Sequence, residues 1–356
     1  MTARISVIIV SFNGRPYLVD CFRSLEKQTM RPEEIIIIDN CSTDGTGDYL
    51  KNLKLSSEIK LKIILNEKNL GFAKANNQGM KIALKGQADY IFLLNQDTKM
   101  EPNCLEELLK AAGKQEDLFA LQPLILCWPE KNKVQTSGDR IHFLGFGHLG
   151  NYGLSAFAEG YGGSTEGGKI REIPYASGAA MFLKRKTLEE VGFFDEDLFM
   201  YHEDMDLCLR ARLFRKKILL APEALVYHHC TDKMTSFKWS WSERNRQLIL
   251  LKFYKLPTLL LIFPFWLLME IGSLFYSALL GALNLKIRGY FEILSLLPKF
   301  LRKRKEIQKT RKIKDKELFK YLDGEFKFAL MRSPLFYLIN PILGSSWKMI
   351  KNIVFW

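Results

Sequence analysis

Four short apolar runs, Ile5–Val10, Ile35–Ile38, Leu61–Leu65 and Tyr90–Leu94, follow one another at intervals of about thirty residues, with a turn and a helical pattern between them. Runs this short and this continuously apolar fit strands covered on both faces. The intervening stretches carry helical spacing, as in Leu18, Cys21, Phe22 and Leu25. This alternation predicts a parallel, doubly wound α/β sheet over the first hundred residues. Such sheets place ligands at the carboxyl ends of their strands. Here those ends are polar: Ser11 and Asn13 after the first run, Asp39 and Asn40 after the second, Asn95, Gln96 and Asp97 after the fourth. One carboxylate at a sheet edge suits magnesium or manganese, which bind through one or two carboxylates plus substrate phosphates. An aspartate there equally suits the cap of the helix that follows, Met100 to Leu109, and Asp97 alone does not separate the two.

Taken in order, Val7 to Asn13, Ile38-Asp39-Asn40-x-Ser42-x-Asp44-Gly45-Thr46, Asn69-Leu70-Gly71-Phe72-Ala73-x-Ala75-Asn76-Asn77 and Asn95-Gln96-Asp97 form four motifs, each at a strand end or in the next turn. Together they resemble family 2 glycosyltransferases of the GT-A fold, over residues 4 to about 255. The resemblance implies a GT-A doubly wound mixed sheet holding a nucleoside-diphosphate sugar. It puts Ser11, Asn13, Asp39 and Asn95 on the nucleotide, with Asp39 at the nucleobase or ribose. Asp97 becomes the metal-contacting acid of the family's D-x-D motif, whose first Asp is replaced here by Asn95. Asn95 accepts hydrogen bonds without charge, so the diphosphate would supply much of the metal's ligand set.

Further on, Ile173 to Leu183 turns from small residues to apolar ones. It looks like the family's strand beside donor sugar and acceptor, where Gly178 and Ala179 allow a close approach. The stretch Phe193 to Arg210 contains Glu203 and Asp204 at the expected start of a helix, in which Asp206 and Arg210 pair at i,i+4. A helix N-terminus favours ionised carboxylates. Asp204 capping that helix is the bland alternative. By resemblance, this is the family's Glu-Asp motif: Asp204 is the general base and Glu203 lines the sugar and acceptor side. His202 receives no role, and H-E-x-x-H is absent because Asp206 stands at its second His. His228, ending the strand Ala224–His228, matches a family histidine that contacts metal or diphosphate; a structural histidine fits the same pattern.

Residues 137–168 hold ten glycines, including the string Gly145-Phe146-Gly147-His148-Leu149-Gly150. This is an accidental G-x-G-x-x-G, since no first strand precedes it and no periodic helix follows. It is read as a glycine-rich flap over the sugar, or as a plain surface insertion. Six scattered cysteines without a C-x-x-C pair favour a reducing compartment and exclude a cysteine zinc site. With no visible signal peptide, the catalytic part is expected in the cytoplasm.

The net charge of +13 is concentrated at the C-terminal end, where residues 285–356 hold 17 Lys/Arg against 6 Asp/Glu. Leu259 to Leu283 is long enough to cross a membrane, yet it contains Pro264 and, near its middle, Glu270. A single crossing would put the basic tail outside, against the usual charge bias. The sequence therefore predicts a helical membrane-associating region over 251–356, after a 1–250 catalytic domain. It would lie in the plane of the cytoplasmic leaflet or re-enter it, with a hairpin bent at Pro264 as one form. Lys299 to Lys316 would face anionic lipid, and Pro334 to Trp356 would form a second interfacial patch. No basic stripe marks the N-terminal part, which excludes a nucleic-acid partner. The expected activity is inverting, metal-dependent transfer of a sugar to a lipid-linked glycan, the alternative being a non-catalytic nucleotide-binding scaffold. A deoxythymidine-linked rhamnose donor is common among relatives, but nothing in these residues selects it.

Overall fold

The computed structural model describes residues 3–55, 58–113, 115–156, 168–229, 234–326 and 334–356, with backbone alone for 334–338. Its strands are β1 (Ile5–Ser11), β2 (Glu34–Asp39), β3 (Lys60–Leu65), β4 (Tyr90–Asn95), β5 (Thr98–Met100), β6 (Leu118–Trp128), β7 (Val134–Thr136), β8 (Arg140–His142), β9 (Gly147–His148), β10 (Arg171–Glu172), β11 (Ala180–Lys184), β12 (Lys217–His229) and β13 (Leu322–Asp323). Its helices are α1 (Arg15–Glu26), α2 (Thr46–Lys51), α3 (Phe72–Lys85), α4 (Cys104–Ala112), α5 (Arg185–Val191), α6 (Glu203–Leu213), α7 (Ser236–Phe253), α8 (Leu256–Leu279), α9 (Leu283–Thr310), α10 (Asp315–Leu318) and α11 (Pro334–Ile353). Contacts divide the chain into two units: residues 1–139, 149–211 and 216–230, and residues 140–148, 212–215 and 231–356.

In the first unit the four apolar runs become β1 to β4. They are parallel in the order β4-β1-β2-β3, with Val7, Ile8 and Ile9 wholly buried under helices on both faces. Helix α1 opens with Pro16 in its first turn, where the missing N–H costs nothing, and buries Leu18, Cys21, Phe22 and Leu25. Beyond β4 the sheet turns mixed. Strand β11 runs antiparallel to both β4 and β6, and β12 is parallel to β6 and antiparallel to β5. Sequence patterning missed β6, because Gln122 and Pro123 interrupt its apolar run. Pro123 is tolerated there because the pairing with β12 shifts register between Ala221 and Leu225, an irregularity that needs no donor at that point.

Residues 140–148 depart from the flap expected of them. Strands β8 and β9 form a mostly buried hairpin of the second unit, β8 pairing with β13, and Gly145 supplies the positive φ (83°) of its turn. Of the remaining expected flap, residues 157–167 lie outside those described. Helix α7, which a cut at residue 250 would leave with the first domain, packs against α9 in the second unit.

Helices α8 and α9 are joined by the turn Leu280–Ala282, whose Gly281 has φ 64°. The hairpin thus bends at Gly281, and Pro264 stays inside α8. Helix α8 is, among the described residues, the one helix long and apolar enough to cross a membrane. Its polarity is inverted, with Leu260, Phe263, Leu267, Ile271, Phe275 and Leu279 exposed and Glu270 buried. Glu270 answers its burial with partners: Arg246 Nη2 at 2.7 Å, Lys286 Nζ at 2.6 Å, and the Tyr290 hydroxyl and Gln247 Nε2 at 2.5 Å each. Glu243 adds a second buried carboxylate, 2.8 Å from Arg246 Nε and 2.5 Å from Lys286 Nζ. Within the expected second interfacial patch, the side chains of Leu335, Phe336 and Leu338 lie outside the described residues.

Candidate active site

Sheet register aligns the polar strand ends. Asp39 on β2 is opposite Ser11 on β1, Val10 is opposite Asn95 on β4, and Leu94 is opposite Ala180 on β11. The Asn95 N–H donates to the Ala179 carbonyl at 2.9 Å, and the Gly178 N–H donates to Asp204 Oδ2 at 2.9 Å. Asp39, Ser11, Asn95, Ala179, Gly178 and Asp204 therefore follow one another along a single edge of the first unit. From β2 to β11 this edge spans three strand spacings, about 14 Å. That length accommodates an extended nucleoside diphosphate with its sugar.

At the β2 end Asp39 is buried, and Ser42 reaches both its oxygens, hydroxyl to Oδ1 at 2.5 Å and N–H to Oδ2 at 3.1 Å. Ser42 Oγ also accepts the Asn13 N–H at 2.8 Å, and Asn13 Oδ1 accepts the Thr43 N–H at 2.8 Å. The turns after β1 and β2 are thereby bonded to each other. Ser11 is wholly buried, with its hydroxyl on Gln96 Oε1 at 2.7 Å. Gln96, to which sequence reasoning gave no task, also bonds both backbone groups of Phe12, at 3.0 and 3.1 Å.

Asp97 and His228 meet where β5 pairs with β12. Their Oδ1 and Nε2 atoms are 3.1 Å apart, and Asn95 Nδ2 is 3.4 Å from the same nitrogen. Burial pushes the Asp97 carboxyl up, while the His228 and His229 rings beside it and hydrogen bonding pull it further down, for a net lowering that favours the carboxylate. His228 Nδ1 lies 2.8 Å from Gln135 Oε1. With its proton on Nδ1, donated to that amide oxygen, the ring would offer its Nε2 lone pair to an ion shared with Asp97. This is the usual support of a metal-ligating histidine. A carboxylate oxygen and an imidazole nitrogen side by side fit manganese or magnesium in chemistry. Among the described residues, however, no group of three His, Cys, Asp or Glu could hold a metal alone. An ion held by these two would take its remaining ligands from substrate. Gln135 sits on β7, a strand with no sequence signal, so only the fold reveals it.

Asp204 lies in the first turn of α6, its Oδ1 taking the Met205 N–H at 2.7 Å and its Oδ2 the Gly178 N–H. The helix terminus was expected to keep it ionised. Burial outweighs these N–H bonds and raises its pKa above the ordinary aspartate value. Glu203 is raised further, by burial and by Asp204, and its Oε2 has no hydrogen-bond partner among the described residues. A third carboxyl, Asp139, escaped the sequence reading. It is buried, its N–H bonds the Tyr175 carbonyl at 3.2 Å, and Thr136 donates to its Oδ1 at 2.5 Å. Burial above all, opposed by Thr136 and reinforced by the Asp204 charge, pushes it up to about 7. Burial raises all three carboxyls, and the partners shown for them include no cation. Asp206, by contrast, pairs with Arg210 at 3.0 Å as its spacing predicts.

A sheet of this order with acids along its carboxyl edge is the GT-A architecture. The family model described as glycosyl transferase family 2 matches residues 6–220, and the chain belongs to that family. It is similar to the N-acetylglucosaminyl-diphospho-decaprenol L-rhamnosyltransferase of Mycobacterium tuberculosis, 28% identical over 246 residues covering 64% of this chain and 77% of that one. It is also similar to the amylovoran biosynthesis glycosyltransferase AmsB of Erwinia amylovora, 24% identical over 71% of this chain and 83% of AmsB. In structure it resembles GalNAc-T7 with UDP, GalNAc and Mn2+, with TM-score 0.52, 20% identity, and coverage of 64% of this chain and 43% of that one. A second likeness is to the mannosyltransferase PcManGT of Pyrobaculum calidifontis in complex with GDP-Man and Mn2+, with TM-score 0.50, 13% identity, and 99% and 87% coverage.

Proposed function

We propose that this glycosyltransferase is inverting and metal-dependent, moving a sugar from a nucleoside diphosphate to a hydroxyl of a lipid-linked glycan at the cytoplasmic face of a membrane. The observation that carries this reading is the bond from Gly178 N–H to Asp204, which sets a carboxyl of raised pKa on the edge that also carries Asn95 and Asp97. Asp204 accepts the proton of the acceptor hydroxyl as that oxygen bonds to the anomeric carbon. The bond from that carbon to the diphosphate breaks on the opposite face, so configuration inverts and the nucleoside diphosphate leaves. Gly178 holds the base in place, and Glu203 beside it, its carboxyl raised further by burial and by Asp204, faces the sugar or acceptor. Asp39, Ser11 and Asn13 order the nucleotide end. Asp97 and His228 would hold the divalent ion, whose chemistry is to offset charge on the departing diphosphate.

The lipid-linked acceptor draws support from the decaprenol-linked substrate in the name of the mycobacterial relative. Support for the membrane surface comes from the outward apolar face of α8 and from the basic run Lys299 to Lys305 in the following helix α9. A leaflet covering that face, with the charged cluster turned inward, needs no crossing.

The test uses radiolabelled UDP-, GDP- and dTDP-sugars with membrane lipid extract. Asp204→Asn should keep donor-induced thermal stabilisation and lose transfer by a factor of about 10² to 10⁴. Near-normal transfer by this variant refutes the assignment of the base.

A further inference from the structure

The backbone leading into Asp204 has an unusual shape. Phe199, Tyr201 and His202 have φ of 61°, 64° and 66°, a region that L residues hold only where their surroundings over-determine it. The constraint comes from the start of α3, more than a hundred residues earlier. Asn77 is buried, and its amide takes one residue of the base segment from both sides. Its Oδ1 accepts the Phe194 N–H at 3.1 Å, and its Nδ2 donates to the Phe194 carbonyl at 3.0 Å and to Glu196 Oε1 at 3.1 Å. One turn earlier the Ala73 N–H donates to the Phe199 carbonyl at 3.0 Å, using a helix-start donor that has no partner within the helix. Gly71, at φ 81°, lies so close that a Cβ there would stand 2.4 Å from the Phe199 ring. The Phe72 ring completes the contact, 3.2 Å from where a Gly178 Cβ would stand, with Asp204 Oδ2 3.5 Å from the same point.

We propose that Asn77 and Gly71 are positioning residues for the catalytic base: they hold the 194–202 segment in its strained path so that Asp204 meets Gly178. Neither is assigned contact with a reacting atom, and the inference rests on Asp204 being the base. Asparagine suits the task because one side chain presents a donor and an acceptor in the geometry of a peptide group. Aspartate at this position accepts but does not donate, and sets a second carboxylate against Glu196. The turn that performs this task is also bonded to the residue after Asp39. Asn69 Oδ1 accepts from Asn40 Nδ2 at 2.9 Å and from the Gly71 N–H at 2.8 Å, and Asn40 Oδ1 accepts the Leu70 N–H at 3.0 Å. One turn thus serves the nucleotide end and the base end of the edge.

The experiment compares the full chain with Asn77→Asp, Gly71→Ala and the double variant Asn77→Asp/Glu196→Gln, on whichever of the labelled UDP-, GDP- or dTDP-sugars the unaltered chain uses. A base displaced by about 1 Å loses roughly 10² in rate, so kcat should fall by that order in both single variants, while donor KM stays within about twofold in Asn77→Asp, whose side chain bonds only the base segment. The double variant exchanges amide and carboxylate between positions 77 and 196, and should recover part of the loss. An unaltered kcat in both single variants overturns the proposal. So does a fall in kcat matched by a rise in KM and by a lost unfolding transition in both. Full transfer by Asp204→Asn removes the base and this inference with it. Loss in Asp204→Asn beside unaltered Asn77→Asp and Gly71→Ala overturns the inference alone.

Discussion

The buried charges of the second unit make a quantitative prediction. Glu243 and Glu270 face Arg246 and Lys286, two charges of each sign with every member buried. Glu270→Leu removes one of the two carboxylates facing both cations, and the acceptor for Tyr290 and Gln247. It leaves one uncompensated positive charge away from water. Breaking a buried ion pair from one side costs about 3–5 kcal/mol. Lys286→Met leaves the opposite imbalance and should cost a similar amount. The double variant keeps the Glu243–Arg246 pair with no excess charge, so its cost should fall below the sum of the two by about 1–3 kcal/mol. Urea unfolding in mild detergent, followed by tryptophan fluorescence, measures this. Five of the six tryptophans (Trp239, Trp241, Trp266, Trp347 and Trp356) belong to the second unit. Single variants that cost less than about 1 kcal/mol, or a double variant equal to their sum, would refute the reasoning that each charge is held by its opposite.

Three further outcomes are expected. Gln135→Leu removes the acceptor behind His228 and should weaken binding of Mn2+ in the presence of a nucleoside diphosphate by about 10- to 100-fold, read by the EPR signal of free manganese. Asp139, with a pKa raised to about 7 in the folded chain, binds a proton there that the unfolded chain releases near 4. Its stabilising contribution is therefore complete below about pH 4 and lost as pH rises through about 7. Asp139→Asn, which still accepts from Thr136, should be more stable than the unaltered chain at pH 8 and show less fall in melting temperature between pH 5 and 8. An unchanged pH dependence would show that Asp139 does not titrate as described. Phe263→Asp with Phe275→Asp should abolish flotation of the full chain with phosphatidylglycerol vesicles while leaving its first unfolding transition in place; continued flotation would move the lipid contact elsewhere.

Much of the first unit was legible because its signals are local. The runs ending at Val10, Ile38, Leu65 and Leu94 announce their own strands, and the acids after them announce the edge where β2 and β4 end. Gln96, Gln135 and Asp139 were not legible, since each acquires its role only from a residue far away in the chain: Ser11, His228 and Tyr175 respectively. Glu270 illustrates the same limit in reverse. In the sequence it is a defect in an apolar span, and only the packing of α7 and α9 around α8 supplies Arg246 and Lys286. The raised pKa of Asp204 was not legible for a related reason: a helix start can be read from the chain, but the depth of burial that opposes its effect cannot.

The pairing of β8 with β13 has a bearing on how the chain is made. Ile141 and His142 leave the ribosome well before their neighbours Leu322 and Asp323 exist. At about 5–20 residues per second the hairpin waits on the order of ten to forty seconds for its third strand. During that interval its apolar side chains, Phe143 and Leu144 among them, are without their final cover. Nascent chains halted before residue 322 should therefore recruit chaperones through this hairpin, and full-length ones should not.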